Sequence, residues 1–203
     1  MRMNKAILCE DGQKRCRWCT ATQEYIDYHD HEWGYPVQND FTLFEKISLE
    51  GFQSGLSWRT ILVKRENFRK AFKQFDFYKV AKFTSKDVEA LLKNEGIVRH
   101  RGKIEAVINN AKKVQALVKE YGSFASYVWQ YESKHLGNDT IVVSTSAESI
   151  ALSKDLKKRG FKFVGPTTMY AFMQAMGLVN DHAKDCQWRK KVATARKQLK
   201  KVG

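Results

Sequence analysis

Proline is scarce in this chain, with two residues in 203, and a Pro-rich linker is thereby excluded. No run of 18 apolar residues occurs, so no membrane-spanning helix and no membrane partner are expected. The opening stretch, MRMNKAILCEDGQKR, lacks the apolar core of a secretory signal, and the expected location is cytoplasmic. Four cysteines are present. In a reducing compartment they are expected to be free or metal-bound rather than paired as disulfides. Extended segments are nearly missing: only TIVVST (140–145) reads as a strand, and one strand makes no sheet. Acids are in deficit, 22 against 36 Lys and Arg, which leaves a net charge of +14. A polyanion is the matching partner for such a surface.

What is present is helical periodicity. Residues 40–55 carry Phe41, Phe44, Ile47 and Phe52 at helical spacing, with Asp40 as the expected N-cap. Residues 59–74 read as a second amphipathic stretch. TSKDVEALLKNEG starts with Thr84 or Ser85 as cap and stops at Gly96. Residues 103–120 continue the pattern, SFASYVWQY is short and apolar, and two further helices end at Gly160 and Gly177, the second starting at Pro166. The closing stretch, QWRKKVATARKQLKKVG (187–203), is rich in Lys and Arg and holds no acid, as a basic helix or a frayed tail. The fold class expected is all-α.

Four stretches carry chemistry. Near the start stand Cys9, Cys16, Cys19, His29 and His31; near the end stand His182 and Cys186 in NDHAKDC. Thiolate and imidazole together suit tetrahedral zinc. A metal shared between the two groups would close a loop of nearly the whole chain. CRWC is itself a zinc half-site, so Cys19 competes with His29, and Cys9 is a further rival. The second stretch, GIVRHRGK (96–103), has helix–hairpin–helix punctuation. Gly96 ends one helix and Gly102 opens the next, whose free N–H groups suit a phosphate, with Arg99, His100, Arg101 and Lys103 as added donors. An ordinary basic turn is the alternative. In the third, LEGFQSGLSW, Glu50 is an acid in an apolar stretch shortly before Trp58; a solvated Glu50 and a core Trp58 fit the spacing equally. The fourth, YIDYHDHEWG (25–34), crowds Tyr25, Tyr28, His29 and Trp33 into ten positions.

Taken in order, YHDHEWG, LFEKISLEGFQSGLSW, GIVRHRGKI, ALSKDLKKRGFKFVG and MQAMGLVNDH resemble the 3-methyladenine DNA glycosylase I family of helix–hairpin–helix repair enzymes. The resemblance runs from about Cys16 to Cys186. It implies two helical lobes with a cleft between them, and a zinc clamp joining the N- and C-terminal segments. The chain then divides into an N-terminal extension (1–15), a glycosylase domain (16–186, hairpin about 91–111) and a basic tail (187–203). The implied ligands of one structural zinc are Cys16, His29, His182 and Cys186, which selects His29 over Cys19. Tyr25, Tyr28, Trp33, Trp18 and Trp58 would wall a base pocket, with Glu50 as reader of the base. Leu56, after Gly55, would fill the gap left by the extruded nucleotide, and Gly96, Arg99, Arg101, Gly102 and Lys103 would hold DNA.

The implied reaction is hydrolytic removal of 3-methyladenine from alkylated double-stranded DNA by a monomer, leaving an abasic site. Methylation makes the base cationic and a good leaving group, and a cation over electron-rich rings beside a carboxylate is favoured in a desolvated pocket. Other hairpin glycosylases place an Asp shortly after the hairpin; here none appears before Asp139, and Glu105 is too close to the hairpin. Two other readings stand beside this one: a hydrolase whose zinc activates water, and a non-enzymatic binder of damaged DNA.

Overall fold

The structure is a computed structural model that describes residues 5–133 and 143–199. Its first element is one that the sequence reading did not expect. Strands β1 (Ala6–Leu8) and β2 (Lys14–Cys16) pair antiparallel, Ala6 opposite Cys16. The expected strand falls partly outside the described residues (140–142), and residues 143–145 form none.

All else that is regular among the described residues is helical. A 3-10 turn (Arg17–Ala21) leads into α1 (Gln23–His31), α2 (Asp40–Gln53), α3 (Trp58–Leu62), α4 (Arg65–Ala71), α5 (Phe77–Val80), α6 (Ser85–Leu92) and α7 (Arg101–Tyr121). Then follow α8 (Phe124–Val128), α9 (Ala147–Lys158), α10 (Pro166–Ala175) and α11 (Gln187–Gln198). Helix α2 lies at the centre, packed on α10, α7, α3 and α8. Its apolar face buries Leu43, Phe44, Ile47, Leu49 and Phe52, and Phe52 packs on Phe68 and Phe72 from α4 and its C-cap. No described helix is long and apolar enough to cross a membrane.

Several boundaries differ from expectation for local reasons. Asn39, not Asp40, caps α2 by accepting the Thr42 N–H at 2.9 Å. Asp40 instead accepts the N–H groups of Phe124 and Ala125, at 3.0 and 2.8 Å. It thereby serves the N-terminus of α8, where amides lack intrahelical partners and favour an anion. The stretch 59–74 breaks into α3, α4 and a turn (Lys73–Phe75) with φ of 52–57°. Phe72 and Phe75 both bury and stack at 5.6 Å across that bend. Their burial offsets a backbone that L-residues otherwise avoid.

Helix α6 stops at Leu92, before Gly96. Residues 93–100 form the connection, in which the Asn94 side chain accepts the Gly96 N–H at 2.9 Å. A Cβ at Gly96 would lie 3.1 Å from Asn67, which makes the glycine a close-approach residue. Helix α7 starts at Arg101 and is capped by His100, whose Nδ1 accepts the Lys103 N–H at 3.2 Å. The C-terminal segment is a helix to Gln198, anchored by buried Trp188 and Val192.

Candidate functional site

Cys16, at the end of β2, and His29, on α1, meet His182 and Cys186 from the segment before α11. All four side chains are buried, and their ligand atoms lie within 4.8 Å of one another. Sulfur at about 2.3 Å and nitrogen at about 2.0–2.1 Å from a tetrahedral ion stand about 3.6 Å apart. Here Cys186 Sγ lies 3.5 Å from His29 Nε2 and 3.6 Å from His182 Nδ1, and Cys16 Sγ lies 3.6 Å from His182 Nδ1. Those three pairs match a four-coordinate ion, and the widest separation in the group, up to 4.8 Å, would close by about 1 Å around one.

The surroundings fit as well. His29 Nδ1 meets Asp30 Oδ1 at 2.8 Å, leaving Nε2 toward the cluster. Arg15 in turn grips Asp30 through Nε at 2.9 and 3.1 Å. His182 Nε2 meets the Trp33 carbonyl at 3.2 Å, leaving Nδ1 inward. Partners of this kind fix the ring orientation of metal-binding histidines. Burial lowers the His182 pKa and so favours the neutral imidazole a metal needs. The Cys16–Cys186 hydrogen bond pushes Cys186 down, toward thiolate, and holds Cys16 up. Gly34, at φ +88°, completes the wall: a Cβ there would lie 2.8 Å from His182 Nε2.

Cys19 is buried but bonds to the Cys16 carbonyl at 3.1 Å, and neither it nor Cys9 belongs to the group of four. A spacing of four would put His182 and Cys186 on one face of a helix, but residues 180–186 are not helical. A turn joins them, with Cys186 N–H donating to Ala183 O at 2.9 Å.

One residue before His29, Tyr28 points from a different face of α1. Its ring is 5.4 Å from Trp58, and its hydroxyl is 2.7 Å from Lys46 Nζ. Lys46 Nζ also lies 2.7 Å from Glu50 Oε1 and 3.4 Å from the Trp58 ring centroid. Glu50, one helical turn after Lys46 on α2, is 5% exposed, so the solvated reading of Glu50 does not hold. The indole N–H of Trp58 is buried without a hydrogen-bond partner. Trp18, 37% exposed, touches Tyr25, Tyr28, His29 and Trp33 at 5.0–6.4 Å. The Tyr25 hydroxyl accepts the Arg59 N–H at 2.8 Å. Trp33 leans instead on His182, at 4.6 Å. Arg15, Asp30 and Lys46 had not been singled out from the sequence. Of these, Lys46 was discoverable, since it precedes Glu50 by four positions on one helix face.

Gly55, at φ +81°, turns the chain after α2 and leaves Leu56 42% exposed. Arg99 and Arg101 are half exposed and pair with Glu95 and Glu89. Lys103, expected among the phosphate donors, is buried: its ammonium meets the carbonyls of Phe52 and Ser54 at 2.9 and 2.5 Å. A cation there suits the C-terminal end of α2.

Comparison with known proteins now bears on this arrangement. The methyladenine glycosylase family model matches residues 18–190. The chain belongs to the methyladenine glycosylase family. Within it, the DNA-3-methyladenine glycosylase of Haemophilus influenzae is 51% identical over 177 residues, covering 85% of this chain and 96% of the relative. DNA-3-methyladenine glycosylase 1 of Escherichia coli is 51% identical over 180 residues, covering 85% and 95%. A crystal structure of a variant 3-methyladenine DNA glycosylase I in complex with 3-methyladenine superposes with a TM-score of 0.82 at 38% identity, covering 86% of this chain and 97% of that one.

Proposed function

We propose that this chain is a base-excision repair glycosylase that flips 3-methyladenine out of alkylated DNA and hydrolyses its N-glycosidic bond, leaving an abasic site. The observation that carries the reading is the pocket's preference for positive charge. A buried carboxylate, Glu50, and two aromatic rings, Tyr28 and Trp58, converge on one ammonium. A base made cationic by methylation meets the same surroundings, whereas neutral adenine gains less from them.

In this reading Glu50 accepts hydrogen bonds from the flipped base, and Trp58, Tyr28, Tyr25, Trp18 and Trp33 supply and support the stacking wall. Extrusion costs a few kcal/mol, and stacking returns about 1–3 kcal/mol. Exposed Leu56, raised by Gly55, fills the vacated stack, as apolar wedges do. The connection of α6 to α7 serves as the hairpin. Gly96, Arg99, Arg101 and Gly102 approach phosphates of double-stranded DNA, and Lys103 braces the end of α2 beneath them. The helices form two lobes around the DNA cleft, and the enzyme acts as a monomer. The segment before Cys16 extends the domain by a ribbon, and the segment after Cys186 extends it by a basic helix.

Cys16, His29, His182 and Cys186 hold one zinc ion. Two thiolates and two imidazoles close a tetrahedral sphere and leave no position for water, so the ion supplies structure rather than a nucleophile. The deciding experiment is incubation with methylated duplex DNA and assay of free 3-methyladenine. Release of the base is expected; tight binding without release would make the chain a damage binder instead.

A further inference from the structure

Lys46 belongs to neither the zinc clamp nor the stacking wall, yet it stands among the groups assigned to the base, Glu50, Tyr28 and Trp58. It lies on the inner face of α2 and is 5% exposed. Its ammonium donates to the Tyr28 hydroxyl, pairs with Glu50 and sits on Trp58 at 3.4 Å. Burial penalises the Lys46 ammonium and lowers its pKa, and its partners work against that penalty. An anion and a hydroxyl acceptor each stand 2.7 Å away, and an electron-rich face lies beneath.

The difficulty is that the partners are those a guest needs. A base stacked on Trp58 and bonded to Glu50 would lie where the ammonium lies, because 3.4 Å above a ring is van der Waals contact distance. Guest and ammonium exclude each other by volume. Two positive charges in one desolvated pocket would also repel. A lysine stem has four rotatable carbons and keeps its head in water wherever the path allows. Both residues stand on α2, and the lysine, with the longer and more flexible stem, is the part that moves.

We propose that Lys46 is a tethered occupant of the base pocket, a built-in cation that the flipped base must displace before excision. The proposal rests on the glycosylase reading above and adds a threshold to it. Any guest must exceed the contacts that Lys46 already makes. The apparent affinity for every guest falls by the fraction of time the pocket is vacant. A cationic base returns a charge to Glu50 as the lysine leaves. A neutral base leaves that carboxylate buried and unpaired, and so falls below the threshold.

The first test uses the unmodified protein. Acetic anhydride labelling with peptide mass analysis is run on the free protein and on protein saturated with 3-methyladenine as free base. Lys46 is expected to be protected in the first and acetylated in the second, while exposed lysines label equally in both. The second test compares binding of free 3-methyladenine to wild type and Lys46→Met by calorimetry. Methionine keeps the stem and removes the charge, and affinity is expected to rise at least about tenfold. Protection of Lys46 with the base bound, or no gain in Lys46→Met, overturns the proposal. Failure of both proteins to release 3-methyladenine from methylated DNA would overturn the glycosylase reading, and the proposal with it.

Discussion

His29 and Tyr28 are neighbours on α1, yet their side chains enter opposite kinds of interior. Around His29 the polar atoms are matched by fixed groups: Asp30 on one ring nitrogen, Cys186 on the other, and Arg15 behind Asp30. Around Tyr28 the matching group is the end of a long side chain, and the indole N–H of Trp58 has no partner. A polar network satisfied by rigid partners holds a fold; one satisfied by a removable partner leaves room for a guest. In the proposed reading the difference separates scaffold from function across a single residue step.

The contrast is broken most severely at the clamp. Cys16→Ser or Cys186→Ser should lose the zinc and more than about 4 kcal/mol of stability, since metal binding free energy is folding free energy here. Cys19→Ser should keep one zinc per chain. Metal analysis and thermal unfolding of the three variants check both points, and the reverse pattern would overturn the ligand set.

Next comes Glu50→Gln. Excision of 3-methyladenine should fall by about one to two orders of magnitude, from the loss of a charge-assisted bond. Zinc content should not change. Because Lys46 loses its anion, stability should also drop, by about 1–3 kcal/mol. Single-turnover rates per folded molecule separate the two effects, and a wild-type rate would place the pocket elsewhere.

A smaller effect sharpens the comparison at the pocket's mouth. Leu56→Ala should slow excision from duplex DNA about tenfold, and excision from a single strand less, because less stacking must be broken there. Equal losses on both substrates would remove the wedge role.

The smallest effect concerns α11. Trp188 and Val192 anchor it, so substitution of exposed lysines is a cleaner probe than truncation. Lys190→Gln with Lys197→Gln should lower the slope of log affinity against log salt by about 2 and leave melting unchanged. An unaltered slope would make the helix a bystander to DNA.

Much of this was legible in the chain. The helix assignments rested on apolar spacing that the core of α2, α7 and α10 follows. The metal group was legible as a set of residue types, but spacing left Cys19 in contention and only the family resemblance set it aside. It sits three positions from Cys16, at half-site spacing, and turns its thiol to a carbonyl instead. The β1–β2 ribbon was not legible, because three-residue strands carry too little pattern to stand out. Lys103 read as a phosphate donor from its place in a basic run. Its burial under α2 depends on a contact 51 positions away, with Phe52, that no local pattern encodes.

The meeting of Cys16 with the Ala183 N–H, 167 positions on, also orders events in time. Contacts of that separation form slowly, because the intervening chain must first be compacted. Helices α2 to α10 fill the chain between the two ends that this contact joins. During synthesis Cys16 stands without two of its partners until His182 and Cys186 have emerged. In the proposed reading the zinc then closes an interior that the intervening helices build.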